Sequence, residues 1–329
     1  MHIPDGFIDG KTAATAAAIS VAGLALALRQ VRRDLPARRM PLLGLAAAFL
    51  FAAQMVNFPV AGGTSGHLMG GVLVAALLGP SAAVVVLTTV LIVQCFLFAD
   101  GGVSALGANV LNMGILGAGG GFLVFSLVAS RMKGSRGRVT AIAFAGWCST
   151  VLASIGCAGE LAWSRTVTWS AGFTMMTGTH MLVGIGEGAI SALAYLAIQR
   201  TRPDLIPELA KSAKSAKSDR HAAPRRRGEL LGYGLLVALA IAVFVAPFAC
   251  PLPDGLQVVA AKLGFDQRSA GTAFHGVAPD YRMTGIHSAA GATALAGALG
   301  TVVVFGLAVL LGHVLVRKTV AGSRKDPTC

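Results

Sequence analysis

The chain has 329 residues, 55% of them hydrophobic and only 12% charged, with a mean hydropathy of +0.71 and a formal net charge of +13. Soluble domains carry about 25% charged residues, so this composition excludes an ordinary soluble enzyme and predicts a membrane protein. A nucleic-acid-binding reading needs a basic face on a soluble domain; here the basic residues sit in short segments between apolar runs, where they act as topology signals.

The apolar runs cover 12–28, 40–56, 67–79, 81–98, 104–130, 139–158, 176–199, 230–250 and 288–316. Crossing the hydrocarbon core takes about 20 apolar residues. The run 67–79 is short, ends at Gly79-Pro80, and is expected to be broken or partly irregular. The expected fold class is therefore all-α integral membrane: a seven-span bundle followed by two C-terminal transmembrane helices. If each run crosses once from an outside N-terminus, 22 of the 27 Lys and Arg residues fall on the inner side, in 29–39, 131–138, 200–228 and 317–329. That asymmetry predicts a multi-pass protein of the cell inner (plasma) membrane with its N-terminus outside and its C-terminus cytoplasmic.

The start, Met1-His2-Ile3-Pro4-Asp5-Gly6, has no basic region ahead of an apolar core and is not expected to be a cleaved signal peptide. Residues 201–228 contain Pro203 and Pro207 followed by a basic, Ala/Ser-rich stretch, the composition of a cytoplasmic linker. They separate a first unit, 1–200, from a second, 229–329, with an outer loop at 251–287. The five cysteines form no Cys-x-x-Cys pair, which argues against a zinc or disulfide framework.

Ionisable groups are costly inside a bilayer, so His67, His180 and Glu187 are candidates for function. His2 is the most informative. Behind a free amine it offers three nitrogens: the α-amine of Met1, its own amide once deprotonated, and its imidazole. An imidazole from elsewhere would complete a square, and tetragonal nitrogen sites favour Cu(II) or Ni(II). His2, His67 and His180 all map to the outer face. Each has a bland reading too: His2 as a solvated terminus, His67 as a helix cap, and His180 with Glu187 as an interhelical hydrogen-bonded pair. Gln54, Asn57, Gln94, Asn109 and Asn112 either orient the histidines or join helices, and Thr64 and Ser65 lie on the same route. Ala14, Ala18 and Ala22 give the first span a small-residue face, for a partner or for the bundle interior. The glycines 117–121 are expected to serve close packing.

Several separated segments together resemble the CbiM/NikM family, the metal-binding S component of energy-coupling-factor (ECF) cobalt/nickel transporters. They are Met1 to Gly6, Gln54-Met55-Val56-Asn57-Phe58-Pro59, Gly63-Thr64-Ser65-Gly66-His67-Leu68-Met69-Gly70-Gly71, Leu106 to Met113, and His180 to Glu187. Pro253-Asp254-Gly255-Leu256 to the last span resembles the PDGLE-type small subunit, with Gln257 where that motif has Glu. The resemblance implies a fusion of the two. It implies Ni2+ or Co2+ as transported substrate, held by Met1, His2 and His67; the planar nitrogen set slightly favours nickel. It also implies a transmembrane coupling (T) subunit and cytoplasmic ATPase subunits as partners, with no resident cofactor and no catalytic residues. The chain carries no Walker A sequence, so ATP hydrolysis is expected from another protein. Two rivals remain: a secondary metal transporter working alone, and a membrane metalloenzyme built on His67, His180 and Glu187.

Overall fold

The structure is a computed structural model that describes residues 1–132, 134–207, 209, 227–269 and 276–315. Most of the expected linker, including His221, lies outside the described residues, as do 270–275 with His275.

The molecule is an all-α membrane protein. Among the described residues, seven helices are long and apolar enough to cross a membrane: α1 (Gly10–Asp34), α4 (Pro80–Phe98), α5 (Leu106–Arg131), α6 (Gly134–Trp163), α7 (Trp169–Thr201), α8 (Gly228–Phe248) and α10 (Ala289–Leu315). Two further apolar runs fall short of crossing length. The helix α2 spans Met40–Gln54 and α3 only Gly71–Leu78. The run 67–79 is broken and partly irregular, as its length suggests. The reason is local. Positive φ at Gly62 and Gly63 turns the chain into a hairpin, β1 (Phe58–Val60) against β2 (Thr64–Gly66), where a helix would otherwise continue. Gly70 and Gly79, also at positive φ, then bracket α3 as only glycine does without strain.

Close helix approach is built on small residues, as apolar solvent demands. In α5 a π-helical stretch covers Val110–Gly120. Gly107 lies against the Ala17 backbone, and Gly121 against Val72 and Ser149, so tightly that a methyl group would clash. On α1, Ala13, Ala16 and Ser20 face inward, whereas Ala14, Ala18 and Ala22 are exposed. The segment expected to be one outer loop contains a helix, α9 (Gly255–Leu263), whose Leu256 and Val259 are buried with Ile3, Phe7 and Met176.

Among the described residues, cavities lie at opposite ends of the bundle. The larger, about 800 Å³, is apolar and is walled by the far ends of α2, α3, α7 and α8, including Leu42, Leu77, Ile198 and Tyr233. The smaller, about 30 Å³, lies where the N-terminus, the β2–α3 strap and α9 converge.

Candidate metal centre at the N-terminus

The first eight residues are threaded into the bundle rather than left in solvent. Ile3 is fully buried. Its N–H donates to Asn109 Oδ1 at 2.8 Å, and Asn109 Nδ2 returns a bond to the Ile3 carbonyl at 3.1 Å. Gly102 N–H donates to the same carbonyl. The Asp5 carboxylate accepts from the Ser104 N–H at 2.8 Å and from its hydroxyl. Thr166 donates to the Phe7 carbonyl, and Asp9 caps α1 by accepting from the Thr12 N–H. The Ile3 N–H and the Ile3 and Phe7 carbonyls thus each have a partner, as buried backbone groups require.

This threading delivers the Met1 nitrogen to within 3.0 Å of His67 Nε2. Two nitrogens bound cis to one ion, each about 2.05 Å from it, lie about 2.9 Å apart, so the pair already has the spacing of neighbouring ligands. The His2 ring stacks nearly parallel to that of His67, with centroids 5.4 Å apart. His2 Nδ1 is 2.7 Å from Asp100 Oδ1, and His2 Nε2 is buried without a hydrogen-bond partner. Asp100 in turn accepts from the Tyr281 hydroxyl at 2.5 Å. Burial opposes ionisation of Asp100, but His2 and the Tyr281 hydroxyl outweigh it and hold the carboxyl below the usual range.

His67 is positioned by the strap that carries it. Glu187, fully buried on α7, accepts from the N–H groups of Met69 at 2.5 Å and Gly70 at 2.9 Å. Gln54 Nε2 donates to the Met69 carbonyl, and Gln94 Nε2 donates to Gln54 Oε1. The Met69–Gly70 peptide inside the bundle is therefore satisfied by side chains from two helices, and Gln94 of a third holds Gln54 in place. The expected pairing of Glu187 with His180 is corrected: both Glu187 oxygens serve the strap, while His180 Nδ1 bonds the Met176 carbonyl at 2.8 Å. His180 lines the small cavity with Met1, His67, Met69, Met113 and Asp254.

The second unit closes the site. Pro253 O accepts from Ser65 N–H at 2.9 Å, Ser65 Oγ donates to Leu252 O at 2.7 Å, and Thr64 Oγ1 donates to Pro253 O. Asp254 Oδ2 lies 3.1 Å from the Met1 nitrogen. Burial would raise the Asp254 carboxyl, but the facing amine and the Gln257 N–H hold it below the usual carboxylate range. Gly255 packs so closely on the His180 ring that a Cβ there would stand 2.9 Å from Nε2. Gln257 completes a capping box with Asp254. An amide performs that reciprocal bond as well as a carboxylate, so the departure from Glu leaves the local fold intact.

Of the expected polar residues, Asn109, Thr64 and Ser65 thus join the site. Asn57 reaches the second unit through its backbone carbonyl, which accepts from Cys250 N–H. Asn112 points elsewhere, donating to Glu160 at 2.6 Å. Asp100 was not singled out from the sequence, although Ala99-Asp100-Gly101-Gly102 at the end of an apolar run is an acid placed before a turn. Among the described residues no three His, Cys, Asp or Glu side chains converge as a metal cluster. A metal here would depend on backbone nitrogens.

Comparison with known proteins agrees with this architecture. Residues 2–205 match the CbiM family, described as the cobalt uptake substrate-specific transmembrane region, and residues 228–317 match the PDGLE domain. A candidate fused nickel transport protein, NikMN, of Archaeoglobus fulgidus is 35% identical over 316 residues, covering 93% of this chain and 96% of its own length. The fused nickel transport protein NikMN of Rhodobacter capsulatus is 33% identical, covering 73% of this chain and 71% of its own. A crystal structure described as a transition metal transporter superposes with a TM-score of 0.57 at 29% identity, covering 66% of this chain and all of that one. The chain belongs to the CbiM family, as a CbiM/NikM-type unit fused to a NikN-like PDGLE unit.

Proposed function

We propose that the chain is the substrate-binding membrane subunit of an ECF-type ABC transporter that imports Ni2+ or Co2+. The observation that carries this reading is the Met1 nitrogen 3.0 Å from His67 Nε2, with the His2 ring stacked alongside. The ligand set is the Met1 amine, the His2 amide and Nδ1, and His67 Nε2. The chelate closes a five-membered ring through the amide and a six-membered ring through Nδ1, so His2 Nδ1 exchanges its bond to Asp100 for one to the metal. Each donor is neutral or deprotonated when bound, so affinity falls as pH falls. A planar nitrogen array tilts the selectivity towards nickel.

The N-terminus faces outward, residues 1–200 bind the metal, the 201–228 segment connects on the cytoplasmic side, and 229–329 is the second unit. Energy comes from partners: a T subunit, for which the exposed Ala14, Ala18 and Ala22 face of α1 offers a close-packing surface, and cytoplasmic ATPases. The metalloenzyme alternative loses its ligand set, because Glu187 is committed to the strap.

The test is Ni2+ and Co2+ uptake in cells that supply the T and ATPase subunits. His2→Ala and His67→Ala abolish uptake, and omission of the ATPases abolishes it too. Uptake that persists in vesicles without any ATPase would establish a secondary transporter instead.

A further inference from the structure

We infer that Asp254 of the second unit is a positioning and counter-charge residue for the N-terminal chelate, so that the fused unit supplies part of the metal site itself. This deepens the proposed function and rests on that reading of the Met1–His2–His67 site.

Each residue of Pro253-Asp254-Gly255 has a separate physical task. Pro253 offers a carbonyl but no N–H; that carbonyl anchors the segment to β2 through Ser65 N–H and Thr64 Oγ1. Asp254 divides its carboxylate: Oδ1 accepts from the Gln257 N–H at 2.8 Å, and Oδ2 faces the Met1 nitrogen at 3.1 Å. Gly255 lets the start of α9 rest against the His180 ring, where a methyl group has no room. The capping box fixes the carboxylate from below, since Gln257 Oε1 also accepts the Asp254 N–H at 2.9 Å. The acid is therefore held rigidly against the amine.

The charges give this placement its purpose. A divalent ion bound by an amine, a deprotonated amide and two neutral imidazoles leaves one net positive charge in a mostly buried chamber. Asp254 cancels it. Without metal, the same carboxylate holds the protonated amine beside His67, which keeps the hook folded in its binding position and reduces the ordering cost of binding. Tyr281, also from the second unit, steadies the other arm through Asp100 and His2.

The experiment uses full-length protein in detergent, titrated with Ni2+ alone. Asn caps a helix as well as Asp does, so Asp254→Asn removes the charge while sparing α9. Its Ni2+ dissociation constant rises about tenfold or more. Its ligand-field band stays at the wild-type position, because the four nitrogens are unchanged. Asp254→Ser, a second neutral cap, carries the same prediction if the Asn variant does not fold. Wild-type affinity in a folded neutral variant overturns the inference. A shifted ligand-field band also overturns it, since Asp254 would then be a ligand rather than a counter-charge. The underlying site reading fails separately, if His67→Ala binds Ni2+ as wild type does.

Discussion

Two straps meet at the N-terminus, and they are held in opposite ways. The first, 64–70, is tied from within its own unit by a buried carboxylate and a relay of two carboxamides: Glu187 takes two N–H groups, and Gln94 and Gln54 lead to the Met69 carbonyl. The second, 252–257, is tied from outside, by pairing with Ser65 and by its own capping box. One strap carries a donor ring, the other a charge. The contrast teaches that the first unit owns the ligands, while the second adjusts their setting. Lesions in the first strap are therefore expected to be severe and those in the second graded.

The sharpest way to break the comparison is His67→Ala. Losing a ligand exceeds the roughly 10–100-fold cost of losing an outer hydrogen-bond partner, and isothermal titration with Ni2+ shows no measurable binding. Glu187→Gln comes next. It sets an NH2 group against an N–H and leaves one buried donor unpaired, at a cost of about 1–3 kcal/mol. The variant unfolds at lower temperature in detergent and binds Ni2+ about tenfold more weakly. Tyr281→Phe deletes the hydroxyl on Asp100 and weakens binding about threefold, near the low end of what a net hydrogen bond contributes. Gln257→Glu is the control with the smallest effect, because Glu closes the same capping box; stability stays within about 0.5 kcal/mol and affinity is unaltered. If the Tyr281 variant proves worse than the Glu187 variant, the ranking of the two straps is reversed.

Much of this was legible in the chain itself. The long apolar runs announce the bundle, and His2 behind a terminal amine announces nitrogen chemistry. Gln54, Gln94, Asn109 and Glu187 stand out as polar groups in apolar runs. The roles were less readable than the residues. Glu187 reads as a partner for His180 because seven residues place both on one helix face. The strap that it binds comes from 118 residues away in sequence, and no local period reports such a contact. Asn112 has the same sequence credentials as Asn109, yet one faces Glu160 and the other Ile3. The break in the third run shows in its short length and Gly79-Pro80, but the hairpin and strap that glycines at positive φ create beside it do not. Asp100 and Asp254 lie in short turns, where an acid ordinarily means a solvated loop.

The most direct measurement is X-ray absorption at the nickel edge on the Ni2+-loaded full-length protein, with and without one alanine added ahead of Met1. The native protein should give four nitrogen ligands in a single short shell, with outer scattering from two imidazole rings, and the extended protein should lose that shell. A six-coordinate, oxygen-rich environment in the native protein, or an unchanged spectrum after the addition, would contradict an N-terminal chelate.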